Sequence, residues 1–343
     1  MKIIIDAMGG DNAPMAIVRG AVDAQKEFGV EIVLVGREAE VRSCLATCGA
    51  AGNESITVVD ADEVIDMHDD PATAVRRKKN SSMAIALNLL RDGAGDAAIS
   101  AGSTGALLTG ATLTVKRIKG IRRAAMAPVL PNGGKGVVLI DCGANVECTP
   151  EYLLQFGYMG SFYSQLILGV ESPRVALLNN GSEDTKGTPL CKAAYALMQE
   201  AADAGRLNFV GNAEANAVFS GDVDVVVTDG FSGNIFLKCV EGTAAYLMHN
   251  IKGVLTSSFK TKLGALLIKN ELRGLKKLMD SSEVGGTAFI GITKPVIKAH
   301  GGSNARAIRS AVKQAIAFAE AGVTDEIQKN IDYMRLRGSD GEN

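Results

Sequence analysis

Short β-rich runs alternate with helix-length stretches along most of this 343-residue chain, and that alternation restricts the fold more than any other feature. Residues 2–6, 31–36, 55–60 and 96–100 read as strands, dominated by Ile, Val and Ala. Between them, Pro14 suits a first helical turn, and Ile17, Val18, Ala21, Val22 and Phe28 follow at helical spacing. Further helices are expected over 37–48, 71–91 and 104–117. Strands joined by crossovers of this length pair in parallel, in a sheet covered by helices on both faces.

The middle of the chain departs from this rhythm. Residues 124–130 and 136–141 flank Pro131-Asn132-Gly133-Gly134, a strong turn signal, and predict an antiparallel hairpin. Alternation resumes with a helix over 150–168, a strand over 174–179, a helix over 188–204, and strands over 207–211 and 223–228. From about 233 to 280 the sequence reads as a helical pair broken near Thr256-Ser257-Ser258, and 285–291 as an antiparallel addition to the sheet. The expected fold class is therefore α/β, a three-layer α/β/α arrangement around a mostly parallel sheet with a protruding helical hairpin. It is read as one unit over 1–343, with room for two lobes, and the hairpin occupies 240–282. The polar tail 338–343 is expected to fray.

Composition removes several function classes. A net charge of −2, no Trp and 5% aromatics argue against a nucleic-acid partner. None of the six cysteines forms a CxxC pair or stands at zinc-finger spacing from a His, so no metal is expected and the thiols read as reduced. The first residues, Met1-Lys2-Ile3-Ile4-Ile5-Asp6, lack the layout of a secretory signal, and no apolar run approaches the ~20 residues of a membrane span.

Small polar residues gather where the strands end. Asp6-Ala7-Met8-Gly9-Gly10-Asp11, Ser100-Ala101-Gly102-Ser103-Thr104-Gly105, Asp141-Cys142-Gly143-Ala144-Asn145, the run 179–187, the run 228–234 and Lys298-Ala299-His300-Gly301-Gly302-Ser303 all follow strands. In open α/β sheets ligands bind outside the carboxyl ends of the strands. One glycine-rich turn means little, but several at one edge, with Ser, Thr and Asn donors and helix starts behind them, suit a phosphate-like anion. No GxGxxG, GxxxxGK[ST] or GxSxG pattern is present, which weakens dinucleotide, ATP-driven and serine-hydrolase readings.

Taken together, the runs 6–14, 100–108, 141–145, 179–187 and 227–238 resemble the bacterial phosphate acyltransferase family from residue 1 to about 315. The resemblance implies an enzyme that converts acyl-acyl carrier protein and inorganic phosphate to acyl phosphate and free carrier, feeding phospholipid synthesis. It implies a fold like the isocitrate and isopropylmalate dehydrogenases, a homodimer, and neither metal nor nucleotide cofactor. A phosphate acetyl- or butyryltransferase using coenzyme A thioesters is the nearest alternative, since chemistry and fold would match. At 285–291, Phe289-Ile290 depart from the family's Leu-rich pattern, which bears on the shape of an acyl-lining wall. Cys142 is not taken as a nucleophile.

Within that reading Lys186 is the first candidate for the charged catalytic group. From its loop alone it reads equally as a surface lysine in the acidic turn of Glu183 and Asp184; the family's GxEDxKG loop, which carries its active-site lysine here, favours the catalytic role. Gly9, Gly10, Asp11, Ser103, Thr104, Asn145, Asn180, Ser232, Asn234 and His300 are candidates for substrate and phosphate binding. Carboxylates repel phosphate, so Asp6 and Asp229 are expected to orient loops. Arg76, Arg77, Lys78 and Lys79, or the group around Arg122, read either as a solvated face or as a dock for the acidic carrier protein. Between 250 and 279, seven basic residues face Glu271 alone, with Leu255, Phe259, Leu263, Leu266 and Leu267 among them. Such a basic amphipathic hairpin suits an anionic membrane surface, a dimer interface, or both. The expected location is cytoplasmic, peripheral to the inner face of the membrane, near a downstream membrane acyltransferase.

Overall fold

Alternate residues of the first strand, β1 (Lys2–Asp6), go to opposite faces: Ile3 and Ile5 join one apolar cluster and Ile4 another. That period of two, with both faces buried, is the signature of a sheet covered on both sides. The computed structural model describes residues 1–272, 274 and 285–334, and in it the strands form two sheets. The N-terminal half supplies β2 (Glu31–Gly36), β3 (Ile56–Asp60), β4 (Ala97–Ser100) and β5 (Ala125–Ala127). They combine with β11 (Gly286–Ile290) and β12 (Val296–Ala299) in a seven-stranded sheet of order β3-β2-β1-β4-β12-β11-β5. The other sheet has five strands in the order β6-β7-β10-β8-β9, from β6 (Val129–Leu130), β7 (Val137–Ile140), β8 (Val175–Leu178), β9 (Phe209–Ala213) and β10 (Val225–Val227). Pairings are parallel except for β11 with β5 and β12, and β6 with β7.

Helices cover both faces of the larger sheet. On one side α1 (Met15–Phe28) packs with a late helix, α10 (Ala305–Glu320), through Ile17, Val18, Ala21, Ile308, Ala311 and Val312. Gly20 lets them cross closely, because a Cβ there would stand 2.5 Å from the Ala305 carbonyl oxygen. On the other side lie α4 (Ser82–Arg91) and α5 (Thr104–Gly110), through Met83, Leu87, Leu90, Ala106 and Leu107. Burying each Leu or Ile of this kind contributes roughly 2 kcal/mol. The smaller sheet is backed by α6 (Pro150–Leu168) and α7 (Pro189–Asp203), with Phe156, Met159, Ala194 and Met198 fully inside.

Two expectations need correction. The helix read over 71–91 is two pieces, α3 (Ala74–Arg77) and α4. Lys78 leaves helical geometry, and Ser81 then caps α4, its hydroxyl accepting from the Ala84 N–H at 3.3 Å. Ser and Asn compete with the helical backbone through such bonds, which is why Asn80-Ser81-Ser82 interrupts the run. The hairpin around 131–134 exists only as β6 and β7, paired Val129 to Val138 and Leu130 to Val137. Pro128, which has no N–H to give a ladder, divides the first run: β5 before it joins the larger sheet, and β6 after it the smaller.

The long helix α8 (Gly230–Thr256) and α9 (Phe259–Leu267) meet at Ser257-Ser258, where Ser258 accepts from the Thr261 N–H in a capping box. Most of their length has no core to cover: α8 buries only Gly230 and Gly233, and α9 buries nothing. The part of the expected hairpin at 273 and 275–282, with Arg273, Lys276 and Lys277, lies outside the described residues, as does the tail 338–343.

Candidate active site

The strand order of the larger sheet reverses between β1 and β4, the kind of switch point where loops diverge and leave a crevice. There the Asp6 carboxylate holds two loops together. Oδ1 accepts from the Met8 and Gly9 N–H groups at 3.2 and 3.1 Å, and Oδ2 accepts from Ser100 Oγ at 2.6 Å. Ser100 Oγ in turn accepts from the Gly102 N–H at 3.0 Å. Burial raises the Asp6 pKa, and these bonds oppose it. The same region reaches the end of β12: the Asp11 N–H donates to the Gly301 carbonyl at 2.9 Å, and Asn12 Nδ2 to those of Gly302 and Ser303. Backbone approaches backbone closely here. A Cβ on Gly9 would lie 2.7 Å from the Gly102 nitrogen, and one on Gly10, whose φ is +100°, 2.9 Å from the Gly301 oxygen.

The smaller sheet contributes the opposite wall. Asp141, wholly buried after β7, gathers N–H groups: Oδ1 accepts from Met126 and Cys142, and Oδ2 from Ala144, Asn145 and Asn145 Nδ2. Its carboxyl is pushed up to about 6 by burial, against the pull of those bonds. The start of α8 interlocks with this loop, Gly143 donating to the Gly230 carbonyl and Gly230 to that of Asn145. Asp229 caps α8, accepting from the Ser232 N–H at 2.8 Å and the Ser232 hydroxyl at 2.9 Å.

Between the two walls lies a cavity of about 1190 Å³. Its polar lining comes from both walls: Gly10, Asp11, Gly102, Ser103, Thr104, Lys298, His300, Gly301 and Gly302 on one, Gly143 and Asn234 on the other. Val64, Ile65, Met126, Val129, Leu130, Phe219, Phe236, Leu237 and Leu247 provide apolar lining. Phe219 and Phe236 pack with their rings tilted by 31° and 6.0 Å between centroids. Cys142 also lines the space, but burial pushes its thiol up to about 12, a poor state for a nucleophile. Phe289 and Ile290 are core residues of β11, and the lining beside them is Gly285, Gly286 and Thr287.

The residues singled out from sequence divide accordingly. Gly10, Asp11, Ser103, Thr104, Asn234 and His300 share the cavity, and Gly9 and Asp6 stand behind it. Asn145 and Ser232 do not line it: Asn145 gives its amide to the Ala124 carbonyl and Asp141, and Ser232 faces Asp229. Asn180 and Lys186 are exposed on the loop after β8, at the same carboxyl edge of the smaller sheet but outside the lining. Side-chain amides hold that loop by its carbonyls, Asn179 Nδ2 donating to that of Lys186 and Asn212 Nδ2 to that of Glu183. In the basic run, Arg76, Arg77 and Lys79 are exposed, whereas Lys78 donates to Asp69 at 2.6 Å and to the Val64 carbonyl. Sequence reasoning passed over Lys298 as a site residue; its signal was a single Lys inside an otherwise apolar strand, two residues before His300-Gly301-Gly302. Among the described residues there is no cluster suited to a metal ion and no helix long and apolar enough to cross a membrane.

Comparison with known proteins agrees with this geometry. Residues 1–326 match the family model described as fatty acid synthesis protein. A phosphate acyltransferase of Oceanobacillus iheyensis is 49% identical over 333 residues, covering 97% of this chain and 98% of that protein. One of Clostridium acetobutylicum is 46% identical, covering 97% and 100%. Among solved structures, a phosphotransacetylase from Streptococcus pyogenes superposes with a TM-score of 0.62 at 19% identity, over 95% of this chain and 94% of that one. A putative 4-hydroxythreonine-4-phosphate dehydrogenase from Salmonella typhimurium gives 0.52 at 15% identity, over 92% and 99%. At those identities the two structures speak for the fold, while identity near one half over nearly the full length speaks for more: the chain belongs to the fatty acid synthesis protein family, as a phosphate acyltransferase.

Proposed function

We propose that the protein transfers a long acyl group from acyl-acyl carrier protein to inorganic phosphate, releasing acyl phosphate and free carrier for phospholipid synthesis. The observation that carries this reading is the cavity itself. At about 1190 Å³ it exceeds the ~300–1,000 Å³ of ordinary small-ligand sites, and its apolar lining ends against loops of glycine, Ser, Thr and Asn. An acyl chain fits the first part and an anion the second.

A phosphate oxygen attacks the thioester carbonyl, the C–S bond breaks, and the thiolate leaves. A thiol of pKa roughly 8.5 is a fair leaving group, so catalysis is chiefly positioning and stabilisation of the oxyanion. Asn234, Ser103 and Thr104 supply neutral donors, and Asp6 and Asp229 hold loops. Lys186 offsets charge in the tetrahedral state from the loop beside β10. Mass spectrometry of palmitoyl-acyl carrier protein with enzyme and phosphate tests the reaction. Phosphate-dependent acyl phosphate is expected; turnover with coenzyme A thioesters alone would replace the donor, and none with either would reject the reading.

The exposed Arg76, Arg77 and Lys79 are proposed to steer the acidic carrier. Charge reversal at Arg76 and Arg77 should raise KM for the carrier substrate several-fold at low salt and less at high salt. An unchanged KM would leave them a solvated face.

The α8–α9 pair is proposed to serve a homodimer along its length and an anionic bilayer at its tip. What supports this is apolar side chains left in solvent: Phe259 is 82% exposed, Leu267 79% and Leu266 64%. Leu263 is exposed and Leu255 half-buried beside them. Sedimentation with anionic vesicles at low salt should carry the protein down, and Phe259→Ser with Leu267→Ser should abolish it; wild type remaining in the supernatant would sink the idea.

A further inference from the structure

Deep in the cavity wall stands a lysine that no carboxylate of the described residues pairs with directly. Lys298 belongs to β12, in register with Ser100 of β4 on one side and Thr287 of β11 on the other. It is 7% exposed and yet lines the cavity. Its ammonium donates to the carbonyl of Ala101 at 3.4 Å and to that of Ala299. Among the described residues no carboxylate comes within 4.0 Å of it.

Asp6 and Asp11 attract Lys298 from farther away, but desolvation wins and pushes its pKa down to about 8. Asp6 already accepts from two backbone N–H groups and the Ser100 hydroxyl. Lys238, the other lysine of the lining, differs: it is mostly exposed and has Glu241 at 3.0 Å. Holding an ammonium out of water with carbonyl dipoles in contact and carboxylates only at a distance is costly unless a nearer anion completes the site. Gly10, Gly102, Gly301 and Gly302 bring bare backbone to the lining, with His300 among them, and these donors can hold such an anion despite the nearby Asp11 carboxylate.

We propose that Lys298 binds a phosphate group in the cavity as its counter-ion, as a phosphate-binding residue separate from Lys186. This rests on the reading of the cavity as an acyl-and-phosphate site. Two substrates bring that chemistry, inorganic phosphate and the phosphodiester of a phosphopantetheine arm, and the test separates them.

The full-length protein and its Lys298→Met and Lys298→Arg variants are titrated calorimetrically with inorganic phosphate and with phosphopantetheine, without acyl donor. Binding of one of the two should weaken by about tenfold or more in Lys298→Met, as for loss of a charged hydrogen bond, and be largely kept in Lys298→Arg. In turnover, a raised KM for phosphate alone assigns the inorganic ion, and a raised KM for the acyl donor alone assigns the phosphodiester. In phosphate-free buffer Lys298→Met should melt at the same temperature as wild type or higher, because a neutral side chain of similar length removes an uncompensated charge. Unaltered binding of both ligands in Lys298→Met, or no binding of either by wild type, overturns the proposal. So does a variant that fails to fold or melts lower, which would make the ammonium a satisfied structural group. Absence of acyl phosphate production with Lys298-dependent phosphate binding intact would instead remove the acyl-transfer reading and leave this one standing.

Discussion

Gly233→Ala should destabilise the protein by at least about 3 kcal/mol, the upper end of what overpacking costs. A Cβ at that position would lie 2.0 Å from the Asp141 carbonyl oxygen and 2.8 Å from Thr228 Cγ2. The first obstacle is main chain and cannot rotate aside. It is also pinned, because the Asp141 carboxylate ties its own loop together and Gly230 and Gly143 lock that loop to α8. Relief would require the start of α8 to move off the loop, carrying Asn234 away from the polar lining of the cavity. Urea denaturation reads the stability loss, and turnover should fall with it. The same helix contains its control: a Cβ on Gly242 meets nothing within 4 Å, so Gly242→Ala should stabilise by about 0.5–1 kcal/mol through propensity alone. Equal effects at the two positions would mean that α8 does not press on the Asp141 loop as described.

Lys186→Ala should cost about 2–4 kcal/mol of transition-state stabilisation, on the order of 30- to 1,000-fold in kcat/KM, if its ammonium meets the developing oxyanion. The fold should be untouched. Lys186 is exposed, and its loop is held through the Lys186 and Glu183 carbonyls, which alanine retains. Because the side chain stands outside the cavity lining, the measurement also decides how the loop is used. A large fall in kcat with unchanged circular dichroism would mean that substrate draws the loop over the site. Full turnover would make Lys186 a surface lysine of an acidic turn and leave the cavity's own groups to do the chemistry.

What could be read from the sequence was what local rules determine. Parallel strands with both faces buried show as unbroken Ile and Val runs, and their glycine-rich exits show as loops, so Gly10, Ser103, Thr104, Asn234 and His300 were recognisable before their meeting was visible. Where the rules compete, the reading failed. Asn80-Ser81-Ser82 looked like helix interior, and only the cap formed by Ser81 reveals a break. Residues 124–130 looked like one hairpin arm; Pro128 is a local break in it, but nothing local tells that the two pieces join different sheets. Asn145 and Ser232 looked like ligand donors because Asn and Ser do this work at strand ends, but those residues also serve as caps and braces, and tertiary partners decide which. Lys298 was missed for the opposite reason: pattern reading treats a strand lysine as an edge or surface residue, and its burial at 7% exposure depends on pairing with strands far away in sequence.

The division at Pro128 has a mechanical consequence. Enzymes that close on substrate do so about a few hinge residues at loops or element ends, whose dihedral angles absorb the swing. Here a single residue separates Ala127, bonded into one sheet, from Val129, bonded into the other, and its ring fixes one of its two backbone angles. Met126, Pro128, Val129 and Leu130 are themselves lining. At this crossing the strap that joins the sheets is also a wall of the chamber, with little slack to widen it. If the chamber takes an acyl chain as proposed, side-chain bulk along this stiff band would gauge its length, as on a ruler, with Met126 and Leu130 as the graduations.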